Sequence, residues 1–101
     1  MRRGTTPTFE IECDIDLTNQ NVYVTIRQGS TELTVEPEVE STETGCVLYI
    51  TLTQKQTLGF SAGIKAQMQV RAINANGTAV ASNIMPIEVG KILLDGELSY
   101  E

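Results

Sequence analysis

Acidic and apolar residues alternate without a break in FEIECDIDL, residues 9–17. The acidic series consists of Glu10, Glu12, Asp14 and Asp16. Alternate side chains project from the same face of a strand at intervals of roughly 7 Å. A Ca²⁺ ion, in contrast, needs several oxygen atoms within about 2.6 Å of itself. A straight strand therefore cannot wrap these carboxylates around one ion, and the pattern predicts a solvated strand face. The alternatives are a divalent-cation site, a stripe that meets a basic partner, and protection of a sheet edge against aggregation.

Two cysteines, Cys13 and Cys46, are the next candidates for chemistry. Both fall in the apolar series of their segments, so we expect reduced thiols in the core; a disulfide between two sheets is the alternative. The sequence has no histidine, which removes the commonest general base and metal ligand. A nucleophilic thiolate would lack an activating base. We therefore predict a protein that is not an enzyme, with no catalytic residue, no cofactor and no metal site.

Charge excludes two classes of partner. The formal net charge is −6, and residues 1–50 hold nine acids and three bases. Nucleic acids and anionic membrane surfaces both select for clustered Lys and Arg, so we expect neither as a partner.

Arg2 and Arg3 are not followed by the apolar stretch of a signal peptide. The sequence therefore predicts a protein that is cytoplasmic when synthesised.

Hydrophobicity with a period of two predicts most of the secondary structure. The apolar series that we expect to face inward includes Ile15 in the first strand and Ile64 in a later one. Gly29-Ser30 is typical of a tight hairpin turn, and the glycosylation-like Asn76-Gly77-Thr78 is interpreted as a second turn. The predicted strands cover residues 8–17, 22–28, 31–36, 46–53, 64–73 and 78–89, the last interrupted near Ser82-Asn83.

Three further segments complete this pattern. EPEVESTETG, residues 36–45, predicts an exposed loop or a weak edge strand. In TQKQTLGF, residues 53–60, Thr53 can cap a helical turn that Gly59 ends, and we interpret the turn as a crossover between sheets. Pro86 lacks an N–H donor and predicts a sheet edge or a bulge.

These elements define the expected fold class for the 101 residues. We predict a single all-β domain, an immunoglobulin-like β-sandwich of about seven short antiparallel strands with one short helical turn. A small β-barrel is the alternative.

An uncharged strand offers a candidate contact surface. The outward series of residues 46–53 begins with Val47, Tyr49 and Thr51, and interface cores are poor in charge and rich in Tyr. We predict an interface at these residues, with Tyr23 as a further candidate, and a weak homodimer or larger ring. Alternatively, residues 46–53 are central in a sheet and covered by residues 36–45, and the tyrosines only pair across strands.

Three stretches carry a resemblance to a known family: MRRGTTP, LTQKQTLGF and NGTAVASNIMPIEVGKILLDGEL. Together they resemble small proteins that phages and prophages of Gram-positive, often gut, bacteria encode near tail genes. The order of strands, LTQ turn and closing DG hairpin is also similar to the N-terminal domain of phage baseplate upper proteins, which are β-sandwiches that act in assembly. The fibre or receptor-binding segments of the baseplate proteins have no counterpart in these 101 residues.

The resemblance implies a function and a setting. It implies a non-enzymatic structural or assembly module of a phage tail or baseplate, with other tail proteins as partners and a place in the virion. No catalytic residue is carried over from the family. The alternative function is a small carbohydrate- or cell-wall-binding module. Without Trp, its aromatic platforms would be Tyr23, Tyr49 and Tyr100.

Overall fold

Eight strands and one short helix make up the computed structural model, which describes residues 1–100. Every predicted strand segment contains a strand, and part of the segment 36–45 forms an additional one. The elements are β1 (Thr8–Cys13), β2 (Asn21–Gln28), β3 (Thr31–Val35), β4 (Glu38–Thr42), β5 (Gly45–Thr51), α1 (Gln54–Leu58), β6 (Ala66–Ile73), β7 (Ala79–Ala81) and β8 (Met85–Ile87).

The strands form two antiparallel sheets, and the predicted sandwich is confirmed. One sheet has the order β1-β5-β4; the other has the order β3-β2-β6-β7, with β8 also paired to β6. The sheets do not close into the alternative barrel. In immunoglobulin lettering these orders correspond to B-E-D and C′-C-F-G, where β7 and β8 share position G. Within residues 1–100 no strand occupies position A beside β1, so β1 is an edge strand.

One layer of apolar side chains holds the two sheets together. Alternate residues of each strand point into it, as the period of two predicts. Burying such a side chain fully contributes about 1.5–3 kcal/mol. The most completely buried core side chains include those of Val24, Ile26, Cys46, Leu48 and Leu52.

The helix α1 links the sheets, as predicted, because it lies between β5 of one and β6 of the other. The Thr53 hydroxyl accepts a hydrogen bond from Gln56 N at 3.1 Å, and the Gln56 side chain accepts one from Thr53 N at 2.8 Å. This capping box satisfies two backbone donors at the helix start. Buried Thr57 donates its hydroxyl proton to the Thr5 carbonyl at 2.9 Å and fixes the chain before β1. No helix among residues 1–100 is long and apolar enough to cross a membrane.

Gln28 ties the end of β2 to the loop that follows α1. Its side-chain amide donates to the carbonyls of Ser61 at 2.8 Å and Ile64 at 2.7 Å. Its carbonyl oxygen accepts from Ser61 N at 2.7 Å. The residue is buried, so these three bonds satisfy a polar group that would otherwise be costly to bury.

Two predicted core positions are wrong. Ile15 is 48% exposed and Ile64 is 58% exposed. The first strand ends at Cys13 because the chain then turns: Asp16 accepts hydrogen bonds from Thr18 N at 3.0 Å and from the Ser41 hydroxyl at 2.7 Å. Ile64 precedes β6, so the alternation that follows it in the strand does not apply to it.

The interruption near Ser82 is confirmed, and hydrogen bonds of Ser82 hold it against β6. Ser82 N donates to the Val70 carbonyl at 2.8 Å, and Val70 N donates to the Ser82 hydroxyl at 3.0 Å. Pro86 lies in β8, which pairs only with β6, so its predicted edge position is also confirmed.

The three bonds of Gln28 predict a measurable contribution to stability. Each contributes roughly 0.5–1.5 kcal/mol, so Gln28→Leu should lower the free energy of unfolding by about 2–3 kcal/mol. Urea denaturation measures this change. Gln67→Leu is the matched control, because Gln67 is exposed on β6, and it should stay within about 0.5 kcal/mol of the parent. Equal effects of both substitutions would contradict this account of Gln28.

Candidate functional site

The predicted interface residues of β5 lie on the outer face of the three-stranded sheet. β5 is the central strand, so each of its residues has a neighbour on both sides. Tyr49 lies between Glu10 of β1 and Glu38 of β4. We name this surface the acidic face and define it by six residues: Val47 and Tyr49, surrounded by Glu10, Glu12, Glu38 and Glu40.

The acidic face is not the neutral surface that the composition of β5 suggested. The strand is uncharged, but the strands on both sides place carboxylates beside it. Val47 and Tyr49 are half-buried and Thr51 is exposed. The segment 36–45 therefore lies next to β5 as β4 and does not cover it. Partial desolvation, together with the carboxylates of Glu40 and Glu10, raises the pKa of Tyr49.

No cation within residues 1–100 forms an ion pair with these carboxylates. Arg27 and Arg71 lie on strands of the other sheet, and Lys65 directly precedes β6 of that sheet. These cations therefore do not pair with the acidic strand across neighbouring strands. Among residues 1–100 the one ion pair is Arg3–Asp95, at 3.5 Å. The carboxylates of the acidic face remain available to a partner.

Tyr23 belongs to a different surface. It lies on β2 in the five-stranded sheet, directly opposite Arg71 of β6, and is 38% exposed. Thr25 and Thr34 lie next to it, joined by a hydroxyl–hydroxyl hydrogen bond of 2.9 Å. A shallow cavity of about 340 Å³ adjoins these side chains. The four predicted interface residues, Val47, Tyr49, Thr51 and Tyr23, thus divide between two opposite faces and cannot form one contact surface.

The acidic strand shows no metal geometry. Glu10, Glu12, Asp14 and Asp16 are all exposed, as predicted. Asp16 has a structural role, because its carboxylate accepts hydrogen bonds from Thr18 and Ser41. The same hydrogen bonds lower the pKa of this carboxyl group. Among residues 1–100 no group of three or more His, Cys, Asp or Glu side chains could hold a metal ion.

The two cysteines are direct neighbours within one sheet. Cys13 of β1 is the register partner of Cys46 of β5, which rules out the alternative of a disulfide between the sheets. Both thiols are free; Cys46 is buried, whereas Cys13 is only half-buried. The Cys46 thiol donates to the Ile15 carbonyl at 3.4 Å. Burial, followed by the adjacent Cys46, raises the pKa of the Cys13 thiol to about 11.

A groove that the sequence did not predict opens between β1 and β7. It has a volume of about 450 Å³, and its walls are mostly apolar. The signal in the sequence is Ile15, which continues the apolar series of β1 beyond the end of the strand. Its apolar lining includes the side chains of Ile11, Cys13, Ile15, Leu17, Val80 and Ala81. No known protein family, curated protein or solved structure matches the chain.

The spacing of the acidic strand predicts no specific cation site. Calorimetric titration with CaCl₂ should show only heats of dilution, because the carboxylates do not converge on one point. Asp14→Asn should leave the titration unchanged. A saturable micromolar site that Asp14→Asn abolishes would overturn this prediction.

The raised pKa of Cys13 predicts slow thiol chemistry near neutral pH. In a Cys46→Ala variant burial still raises the pKa of Cys13, so the rate of alkylation by iodoacetamide should keep rising with pH beyond the range in which an ordinary thiol reaches its plateau. The same protein unfolded in urea should reach its plateau near the ordinary thiol pKa of about 8.5.

Thiol titration of the denatured, unreduced parent should count two free thiols. An intact mass lower by two protons would show a disulfide instead.

Proposed function

We propose that this protein is a non-enzymatic structural module that acts in assembly by binding another protein through the acidic face. One observation carries the proposal: Tyr49 is half-buried on a flat sheet face, between unpaired carboxylates of two neighbouring strands. A tyrosine at the centre and charge at the rim is the usual anatomy of a protein interface.

The charge of the acidic face favours a partner of opposite sign. Arg is enriched at interfaces and forms bidentate hydrogen bonds with carboxylates. A second copy that presented its own acidic face would bring like charges together, which disfavours a symmetric dimer through this surface. The proposed partner is therefore a different protein with an Arg- or Lys-bearing surface.

The resemblance to phage proteins supplies the setting of this proposal. The segments LTQKQTLGF and NGTAVASNIMPIEVGKILLDGEL resemble proteins encoded near tail genes. We accordingly propose a tail or baseplate protein as the partner and the virion as the final location. A β-sandwich serves many functions, so the fold itself does not select this one.

The surface around Tyr23 favours a second candidate function, the binding of carbohydrate or cell-wall material. Tyr23 offers an exposed ring beside the hydroxyls of Thr25 and Thr34 and the guanidinium of Arg71, above the shallow cavity. Hydroxyl and guanidinium groups suit the polar groups of a sugar. Under this proposal, Tyr23→Ala should abolish binding to purified cell walls, and Tyr49→Ala should preserve it.

The acidic face predicts different effects for two matched substitutions. Tyr49→Glu should weaken binding to a tail protein encoded by a neighbouring gene at least tenfold, because it adds a charge at the centre of the interface. Tyr23→Glu makes the same chemical change on the opposite face and should leave the affinity unchanged. Biolayer interferometry with the purified proteins measures both. Equal loss in the two variants, or loss in Tyr23→Glu alone, would exclude the acidic face.

A further inference from the structure

The groove marks a place where the sandwich is incomplete. Ile15 is 48% exposed and Val80 is 40% exposed on its walls. The groove lies between β7 and the edge strand β1. In an immunoglobulin-like fold, part of strand A would occupy this space. Residues 1–7 do not fill it, because Arg2 forms its bridge to Gly90 at the other end of the sheets. An edge strand beside an open apolar groove is the arrangement that accepts an added strand.

A second unexplained feature lies in residues 91–98, which we name the leucine segment. Its side chains include Leu93, which is 98% exposed, Leu94, 71% exposed, and Leu98, 63% exposed. The described chain offers these side chains no apolar cover, and such exposed apolar groups mark an interaction site or a liability to aggregate.

Hydrogen bonds hold the leucine segment beside α1. The Gln54 side-chain amide donates to the Leu98 carbonyl at 3.0 Å, and Leu98 N donates to the Gln54 side-chain oxygen at 2.7 Å. Arg3 forms its ion pair with Asp95 in the same segment. The segment is thus positioned in advance, which lowers the entropic cost of binding.

The groove and the leucine segment lie at opposite ends of the molecule. The groove adjoins the end of β1, whereas α1 follows the far end of β5. Six residue steps of β5 separate these ends by about 20 Å. A leucine segment held at α1 by Gln54 is therefore too far away to enter its own groove. We call the two ends the groove pole and the α1 pole.

The two poles carry opposite charge. The groove pole has five carboxylates and one cation, and the α1 pole has six cationic side chains and four carboxylates within residues 1–100. Glu12 and Asp14 line the groove itself, and Lys91 begins the leucine segment. The groove pole contains Glu12, Asp14, Asp16, Glu40, Glu43 and Arg71; the α1 pole contains Arg2, Arg3, Arg27, Lys55, Lys65, Lys91, Glu32, Glu88, Asp95 and Glu97.

We propose that the groove of one copy binds the leucine segment of a second copy, so that copies associate head to tail. Leu93 and Leu94 enter the apolar groove, while Lys91 and the other cations of the α1 pole approach the acidic rim. The backbone of the segment lies along the free edge of β1. Because the two surfaces are different, each bound pair of copies leaves one groove and one segment free, and the contact repeats into a ring or a chain.

A cysteine placed in the leucine segment tests this contact directly, because Cys13 lines the groove. In a Cys46→Ala background, Leu94→Cys should give disulfide-linked dimers under mild copper oxidation. Lys55→Cys, exposed on α1 at the same pole, should give none. Replacing Cys13 by Ala should abolish the Leu94→Cys dimers. Dimers that persist without Cys13 would show contact between two segments, and a link within one chain would show that the segment fills its own groove. Either outcome, or a monomer throughout, overturns the proposal.

Complementation between two variants tests the geometry independently. Leu94→Asp damages the segment and Val80→Asp damages the groove, both at exposed positions whose substitution should spare the fold. Light scattering behind a sizing column should show association of the parent at high micromolar concentration and a monomer for each variant. An equimolar mixture should give a dimer, because one intact groove and one intact segment remain. A mixture that stays monomeric overturns the proposal.

One further variant separates this contact from the acidic face. Tyr49→Glu should leave the association of copies unchanged, because Tyr49 does not line the groove. Loss of association in Tyr49→Glu, with Leu94→Asp unaffected, would assign the contact to the acidic face and overturn the groove.

Discussion

A single aliphatic layer between two sheets is the constraint on which the rest of the structure depends. The sequence has no Trp, so aliphatic side chains make up most of this layer, and further residues cover its ends. At the α1 pole, buried Leu52, Phe60 and Val89 close it, and α1 itself covers the crossing point. At the groove pole Leu17 is buried, but Ile15 and Val80 on the walls of the groove remain 48% and 40% exposed. The groove is thus the unsealed end of the core.

Most of the fold could be predicted from the sequence, because its signals are local. The alternation in β2 and β5, the two-residue hairpin at Gly29-Ser30 and the cap at Thr53 each involve residues close in the chain. Local patterns do not show where a strand ends. The alternation of residues 9–17 continues past Cys13 in the sequence, but hydrogen bonds to Asp16 turn the chain out of the sheet there.

The properties of the surfaces could not be predicted, because they depend on which strands become neighbours. Tyr49 acquires its carboxylate neighbours from β1 and β4, and Glu10 is 39 residues away in the sequence. Tyr23 and Tyr49 look equivalent in the sequence, yet the chain crosses from one sheet to the other between β3 and β4, so their strands lie in different sheets. The same holds for Cys13 and Cys46, whose burial was largely predicted and whose direct opposition was not.

The separation of charge between the poles also has a consequence for the rate at which two molecules meet. A molecule with one acidic and one basic end carries a permanent dipole, and two such molecules rotate so that the acidic end of one faces the basic end of the other before their surfaces touch. Because the Debye length is about 8 Å at physiological ionic strength, this guidance acts only over the last few water layers. Dilute buffer would extend its range, so correctly oriented encounters should become more frequent as the ionic strength falls.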